Sequence, residues 1–196
     1  MPITGLLLAG GGSTRMGRDK AELDFEGEPL AARVMGCLRQ VCGEVLVASG
    51  DGSRLGWLGV PQVPDAIPGV GPLGGIVAGL ERASFDVVAV VAVDMPYANA
   101  GLLRLLAALR HDEDAVIPVS ERGSEPLHAV YTKAAGTAFR RALQEGERSV
   151  HRAVRSLRVR EVGPDVWRRV DPEGRFAINV NRPEDVQSSD VTGSTS

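Results

Sequence analysis

An apolar run, Ile3–Leu8, leads directly into Ala9-Gly10-Gly11-Gly12-Ser13-Thr14-Arg15-Met16-Gly17-Arg18-Asp19-Lys20. Glycines let the backbone turn tightly and approach a ligand, so that successive N–H groups converge on anionic oxygens. Arg15 and Lys20 add full charge, one as a planar fork and one as a mobile point charge, a pairing suited to a polyphosphate whose charge moves during reaction. Two well-known phosphate loops are excluded. A Walker A loop requires G-x-x-x-x-G-K-[ST], whereas Gly12 to Gly17 is followed by Arg18-Asp19. A dinucleotide fingerprint requires a third glycine where Arg15 stands.

Further residues suggest what surrounds such a ligand. Asp94 ends the run Val87–Val93 and is followed by Met95-Pro96, which places a carboxylate at the mouth of the most apolar segment. One carboxylate in that position suits Mg²⁺, which usually completes its octahedron with water and substrate phosphates. Asp65 lies just before Gly71-Pro72-Leu73-Gly74-Gly75 and accepts hydrogen bonds of the kind a ribose or a guanine N–H edge donates; a plain turn aspartate is the other reading. Asn179 and Asn181 would share one side of an extended segment, holding a substrate, although Asn181 equally suits the cap of a helix opened by Pro183. His128 could face an acceptor, but a lone histidine in an apolar strand is more often simply packed.

These residues need a scaffold. Short apolar runs alternate with helix-like periodicity, the pattern of a largely parallel sheet covered on both faces. Strands are expected near 3–8, 44–48, 60–63, 86–93, 114–119, 126–132, 158–162 and 176–180. Helices are expected at 29–41, 74–83, 99–110, 133–144, 149–156 and from Pro183. The fold class is therefore α/β: one domain over residues 1–186, a Rossmann-like three-layer sandwich with a mostly parallel sheet, and a disordered polar tail over 187–196. In open α/β sheets ligands bind outside the carboxyl ends of the strands, where the loops carrying Gly10, Asp65 and Asp94 would meet.

Bulk properties narrow the class. A chain of 196 residues, 43% hydrophobic and 24% charged, buries an ordinary core. A net charge of −3 argues against a general nucleic-acid binder. Neither apolar run approaches the roughly 20 residues of a membrane span, and no secretion signal precedes them, so the expectation is a cytoplasmic protein without a membrane partner; a monomer is expected because no long amphipathic helix is left over for assembly. Cys37 lies on the apolar stripe of a helix and reads as a buried thiol; Cys42, five residues on, falls on another side of that helix and is not expected to pair with it. Nine arginines stand against four acids between Arg140 and Arg169. Among them Arg148, Arg152 and Arg155 follow i, i+4, i+7 spacing, giving either a solvated face or a landing site for a second, anionic substrate.

Taken together, Leu8-Ala9-Gly10-Gly11, Arg15-Met16-Gly17, Asp19-Lys20, Asp65, Gly71-Pro72-Leu73, Asp94-Met95-Pro96 and Asn179-Val180-Asn181 resemble the molybdenum cofactor guanylyltransferases, within the wider group of NTP-transferases. The resemblance spans residues 3–185. It implies that GTP and Mg²⁺ bind, that the terminal phosphate of molybdopterin attacks the α-phosphorus, and that pyrophosphate leaves. It places Leu8, Ala9, Gly10, Gly11 and Gly12 against the nucleotide with Asp65, Gly71, Pro72 and Leu73. Arg15, Lys20 and Asp94 become the catalytic set, Asp94 the metal ligand, and Asn179, Asn181 and Arg148 the acceptor side. Transient contact with molybdoenzymes or their chaperones would follow from such a product.

One departure concerns the base. Some family members carry an asparagine after the second strand, where this chain has Val47-Ala48-Ser49-Gly50. Guanine is favoured by the Leu-Ala-Gly-Gly form of the first loop and by Gly71-Pro72-Leu73. The alternatives are a CTP-dependent molybdopterin cytidylyltransferase, a sugar-1-phosphate nucleotidyltransferase, and, from another class, a non-catalytic nucleotide-binding or cofactor-delivery protein.

Overall fold

The structure is a computed structural model that describes residues 1–10 and 19–180. Its strands are β1 (Ile3–Leu8), β2 (Asp24–Phe25), β3 (Glu28–Pro29), β4 (Glu44–Gly50), β5 (Gln62–Pro64), β6 (Val87–Ala92), β7 (Ala115–Ser120), β8 (Gly123–Ser124), β9 (His128–Thr132) and β10 (Val159–Val162). The α-helices are α1 (Leu30–Arg39), α2 (Pro72–Arg82), α3 (Ala100–Leu109), α4 (Ala135–Gln144), α5 (Val150–Ala153) and α6 (Pro164–Trp167). One sheet runs β10-β7-β9-β6-β1-β4-β5, with β8 a short hairpin partner of β7. β9 lies antiparallel to both β6 and β7, while β1, β4, β5 and β6 are mutually parallel, as are β7 and β10.

Every residue of β1 and β6 is buried, because helices cover both faces. α1, α3 and α6 pack on one side through Val34, Leu38, Leu102, Leu106 and Trp167. On the other side lie α2, α4 and α5, through Leu73, Ile76, Leu80, Phe139 and Val150. Each fully buried valine of β6 contributes about 1.5–3 kcal/mol of burial. Glycine sets the approach of α2 to the sheet: a Cβ on Gly79 would stand 2.2 Å from Leu6 Cδ2, so only a bare backbone fits over that leucine.

The chain runs from β1 to β4 and on to β5, then returns through α2 to β6 on the opposite flank of β1. The strand order thus reverses at β1, and ligands of such sheets bind outside that crevice. The ends there are stitched by backbone hydrogen bonds: Ala9 N–H donates to Ala48 (2.8 Å), Val93 N–H to Leu8 (2.9 Å) and Asp65 N–H to Gly50 (3.0 Å).

Several expectations are corrected. The segment expected as a strand at 176–180 instead begins as a 3-10 turn, Arg175–Ala177, because Gly174 at φ 66° turns the chain just before it. Phe176 then buries against Trp167 and His128. Pro29 does not open α1 from within; it ends the β2–β3 hairpin and the helix starts at Leu30. Arg148 does not share a helix face with Arg152 and Arg155, since α5 begins only after its cap Ser149, and Arg155 falls in a following 3-10 turn. The helix expected from Pro183 and the tail over 187–196 lie outside the described residues. Among the described residues no helix is long and apolar enough to cross a membrane.

Candidate active site

Over the ends of β1 and β6 lies a cavity of about 130 Å³, whose walls include Leu8, Ala9, Gly10, Lys20, Pro72 and Asp94. Three chain segments supply them. β1 delivers Leu8–Gly10 as it leaves the sheet. β6 delivers Asp94, and Met95 N–H closes a turn back onto Ala92 (3.2 Å), so the Asp94 carboxylate emerges just past the buried valines. Lys20 opens a short 3-10 turn, Lys20–Glu22, whose cap Asp19 accepts from Ala21 N–H through Oδ1 at 3.0 Å. Lys20 Nζ lies 3.1 Å from Asp94 Oδ2, with side chains 17% and 25% exposed. A cation and an anion so placed are partly desolvated yet reachable by a ligand.

Asp65 stands behind this wall. A Cβ on Gly10 would lie 3.2 Å from Asp65 Oδ1, and one on Gly75 would lie 3.3 Å from the same oxygen. The two glycines therefore make the slot in which the carboxylate sits. Oδ1 is buried without a hydrogen-bond partner among the described residues, and burial raises the Asp65 pKa above the usual carboxylate value while the Arg54 charge pulls it back. An unsatisfied buried acceptor costs on the order of 1–3 kcal/mol, a cost that a donor on a ligand would offset.

α2 begins beside the cavity. Gly71 takes φ 76°, a conformation that favours glycine, and Pro72 follows as the first helical residue. Among Gly71, Pro72 and Leu73, only Pro72 lines the cavity; Leu73 is fully buried in the core and anchors the start of α2 behind it.

On the remaining side, Val180 N–H donates to the Asp94 carbonyl oxygen at 2.8 Å, which brings the exposed Asn179 next to the end of β6. Arg148 is not brought to the cavity: it lies on the turn between α4 and α5 and donates to the Leu143 and Glu147 carbonyls. Its basic neighbours are partly neutralised, Arg140 by Glu81, Arg152 by Glu147 and Arg158 by Asp114. Gly11, Gly12, Arg15 and Asn181 lie outside the described residues. Ser49, at the position of the departure, is 2% exposed, and its hydroxyl has no partner among the described residues.

His128 is fully buried, accepts from Asn99 N–H at the start of α3 (3.1 Å) and packs on Phe176. Burial pushes its pKa down to about 4. It is a structural brace between β9 and α3. A cleft of about 470 Å³ opens beyond Pro96, between α1 and the turn at 96–99. Its charged side chains already have partners: Arg33 with Glu26 and Glu28, Arg175 over the Tyr97 ring, and Asp171 with the N–H groups of Arg175 and Phe176.

The sequence missed Arg54. It sits past β4, yet its guanidinium lines the cavity and contacts both Ala9 and Asp19. Nothing in its local sequence signals this, because the contact is made by a turn folding back across the sheet edge.

A family model, the MobA-like NTP transferase domain, matches residues 5–161. The chain belongs to this family. It is 37% identical over 193 residues to a probable molybdenum cofactor guanylyltransferase of Chloroflexus aggregans, covering 95% of this chain and 93% of the relative. A probable molybdenum cofactor guanylyltransferase of Opitutus terrae is 40% identical over 188 residues, covering 93% and 92%. Among solved structures, the molybdopterin-guanine dinucleotide biosynthesis protein A of Archaeoglobus fulgidus superposes with a TM-score of 0.82 at 26% identity, covering 95% of this chain and 96% of that one. Family membership makes the chain a nucleotidyltransferase with a Rossmann-like fold, as the sequence motifs implied.

Proposed function

We propose that this protein transfers the GMP unit of GTP to the terminal phosphate of molybdopterin, releasing pyrophosphate and forming the molybdopterin guanine dinucleotide cofactor. The observation that carries it is the Lys20–Asp94 pair, 3.1 Å apart at the strand crossover, in a chain matched along nearly its whole length by relatives named guanylyltransferases.

Transfer to phosphorus asks the protein chiefly to align the two partners and neutralise charge. The backbone of Leu8–Gly10 would border the nucleotide, and Gly11 and Gly12 are assigned to the same role. Lys20 would hold phosphate oxygens, with Arg15 as a second cation. Asp65, whose buried Oδ1 has no partner among the described residues, would accept from the guanosine, alongside Gly71 and Pro72, with Leu73 anchoring that turn in the core. No general base is required, because a phosphate nucleophile is already ionised at neutral pH. Asn179 and Asn181 would face the acceptor.

The donor set fits a magnesium ion shared with substrate. Among the described residues no group of three or more His, Cys, Asp or Glu could hold a metal alone. A single carboxylate, Asp94, does face the cavity beside Lys20, which is the sparse protein ligation Mg²⁺ accepts when phosphates complete its shell. Asp94 would hold the ion, and the ion supplies charge neutralisation on the phosphates.

The test is incubation with molybdopterin, Mg²⁺ and GTP labelled at either the α- or the γ-phosphorus. The α-label should enter the pterin dinucleotide and the γ-label should leave in pyrophosphate. Retention of both labels in GTP would overturn the proposal.

A further inference from the structure

Arg54 occupies a position that neither the motifs nor the proposed reaction assigns. Its backbone is fixed by a turn in which Asp51 Oδ1 accepts from the N–H groups of Ser53 (2.9 Å) and Arg54 (3.1 Å). Gln62 locks the next turn, accepting from Leu55 N–H and donating to the Ser53 carbonyl, both at 3.1 Å, and Leu55 is fully buried. With the backbone already held, reaching across the sheet edge costs only the side chain's own rotamer freedom. At its far end Nη2 donates to the Ala9 carbonyl, while Nε lies 3.2 Å from Asp19 Oδ2. The latter is an ion-pair distance without hydrogen-bond alignment.

Ala9 and Asp19 stand at the two ends of the glycine-rich segment. One planar guanidinium therefore spans those ends. The Asp19 carboxylate is divided, with Oδ2 facing Arg54 and Oδ1 capping the 3-10 turn that carries Lys20. We infer that Arg54 is a positioning residue: it ties the start of the phosphate loop to its end and, through Asp19, fixes where Lys20 stands relative to Asp94. A lysine would not substitute, since a compact ammonium cannot bond the Ala9 carbonyl at one end while holding its charge beside Asp19 at the other, as a planar guanidinium does.

This inference rests on the proposed reaction only for its kinetic consequence, so it is tested by two readouts. In the unliganded protein, hydrogen exchange at the Ala21, Glu22 and Leu23 amides should accelerate about tenfold or more in Arg54→Gln and Arg54→Lys, while amides of β1 and β6 keep their wild-type rates. In turnover, both variants should lose about tenfold or more in kcat, and Asp19→Asn combined with Arg54→Gln should be no worse than the poorer single variant. Unchanged exchange at the turn, or additive losses in the double variant, would overturn the inference. Faster exchange in a protein whose wild type transfers no GMP would uphold the brace and refute the reaction instead.

Discussion

Replacing Asp94 by Asn should move nucleotide binding and turnover in opposite directions. The carboxylate stands 3.1 Å from Lys20 Nζ and a quarter exposed, at the place assigned here to the triphosphate. Without a divalent ion it repels phosphate and draws on the charge of Lys20. Two unit charges about 4 Å apart interact by about 1 kcal/mol in water and about 4 kcal/mol at an effective dielectric near 20. Partial exposure puts this site nearer the lower figure, about 1–2 kcal/mol. GTP binding in chelator should therefore tighten by about 5–30-fold. In saturating Mg²⁺ the same change removes the protein's metal ligand and should cost about 3 kcal/mol of transition-state stabilisation, about a hundredfold in turnover. Calorimetric titration of GTP with and without chelator, beside pyrophosphate release, reads both. Weaker metal-free binding together with normal Mg²⁺-dependent turnover would refute the placement of Asp94 at the phosphates.

Three other outcomes follow from the packing. Gly10→Ala puts a methyl 3.2 Å from both Asp65 Oδ1 and the Gly50 nitrogen, so steady-state kinetics should show KM for GTP raised about tenfold or more in a protein of normal circular dichroism. Gly79→Ala drives a methyl into Leu6, 2.2 Å from Cδ2; overpacking of this kind costs about 1–3 kcal/mol, a loss readable in urea denaturation. Burial lowers the folded-state pKa of His128 from 6.5 to about 4. The unfolded chain therefore takes up this proton first as pH falls, and stability that is complete above about pH 6.5 is lost progressively down to about pH 4. By about pH 5 the loss from this group is about 2 kcal/mol, and His128→Gln should remove that share of the pH dependence in urea titrations.

The sheet was legible because its signals are local. The unbroken Val-Ala run at 87–92 reads as a strand buried on both faces, and alternation of such runs with helical periods announces parallel crossovers. Elements governed by single turns were not. The β2–β3 hairpin has strands of two residues each, too short for any periodicity. The apolar residues near Phe176 suggested a strand because they match its composition, whereas the left-handed Gly174 and the aromatic contacts with Trp167 and His128 make a 3-10 turn.

At the site, the residues that announce themselves do so by chemical type in the loops that follow strands: Gly10 and Lys20 after β1, Asp65 after β5 and Asp94 after β6. The structure brings Lys20 to Asp94 and seats Asp65 between Gly10 and Gly75. Arg54 could not be read because its role depends on the direction in which the turn after β4 points. Arg148 was misplaced for a related reason: its helical spacing holds only if the helix already exists there, and Ser149 caps it one residue later.

The proposed reaction is defined by its base and its acceptor. Its most direct test is single-turnover product formation with molybdopterin and Mg²⁺, comparing kcat/KM for GTP and CTP. Guanine dinucleotide formed about a hundredfold or more faster than the cytosine product is the expected result; equal rates, or a preference for CTP, would contradict it.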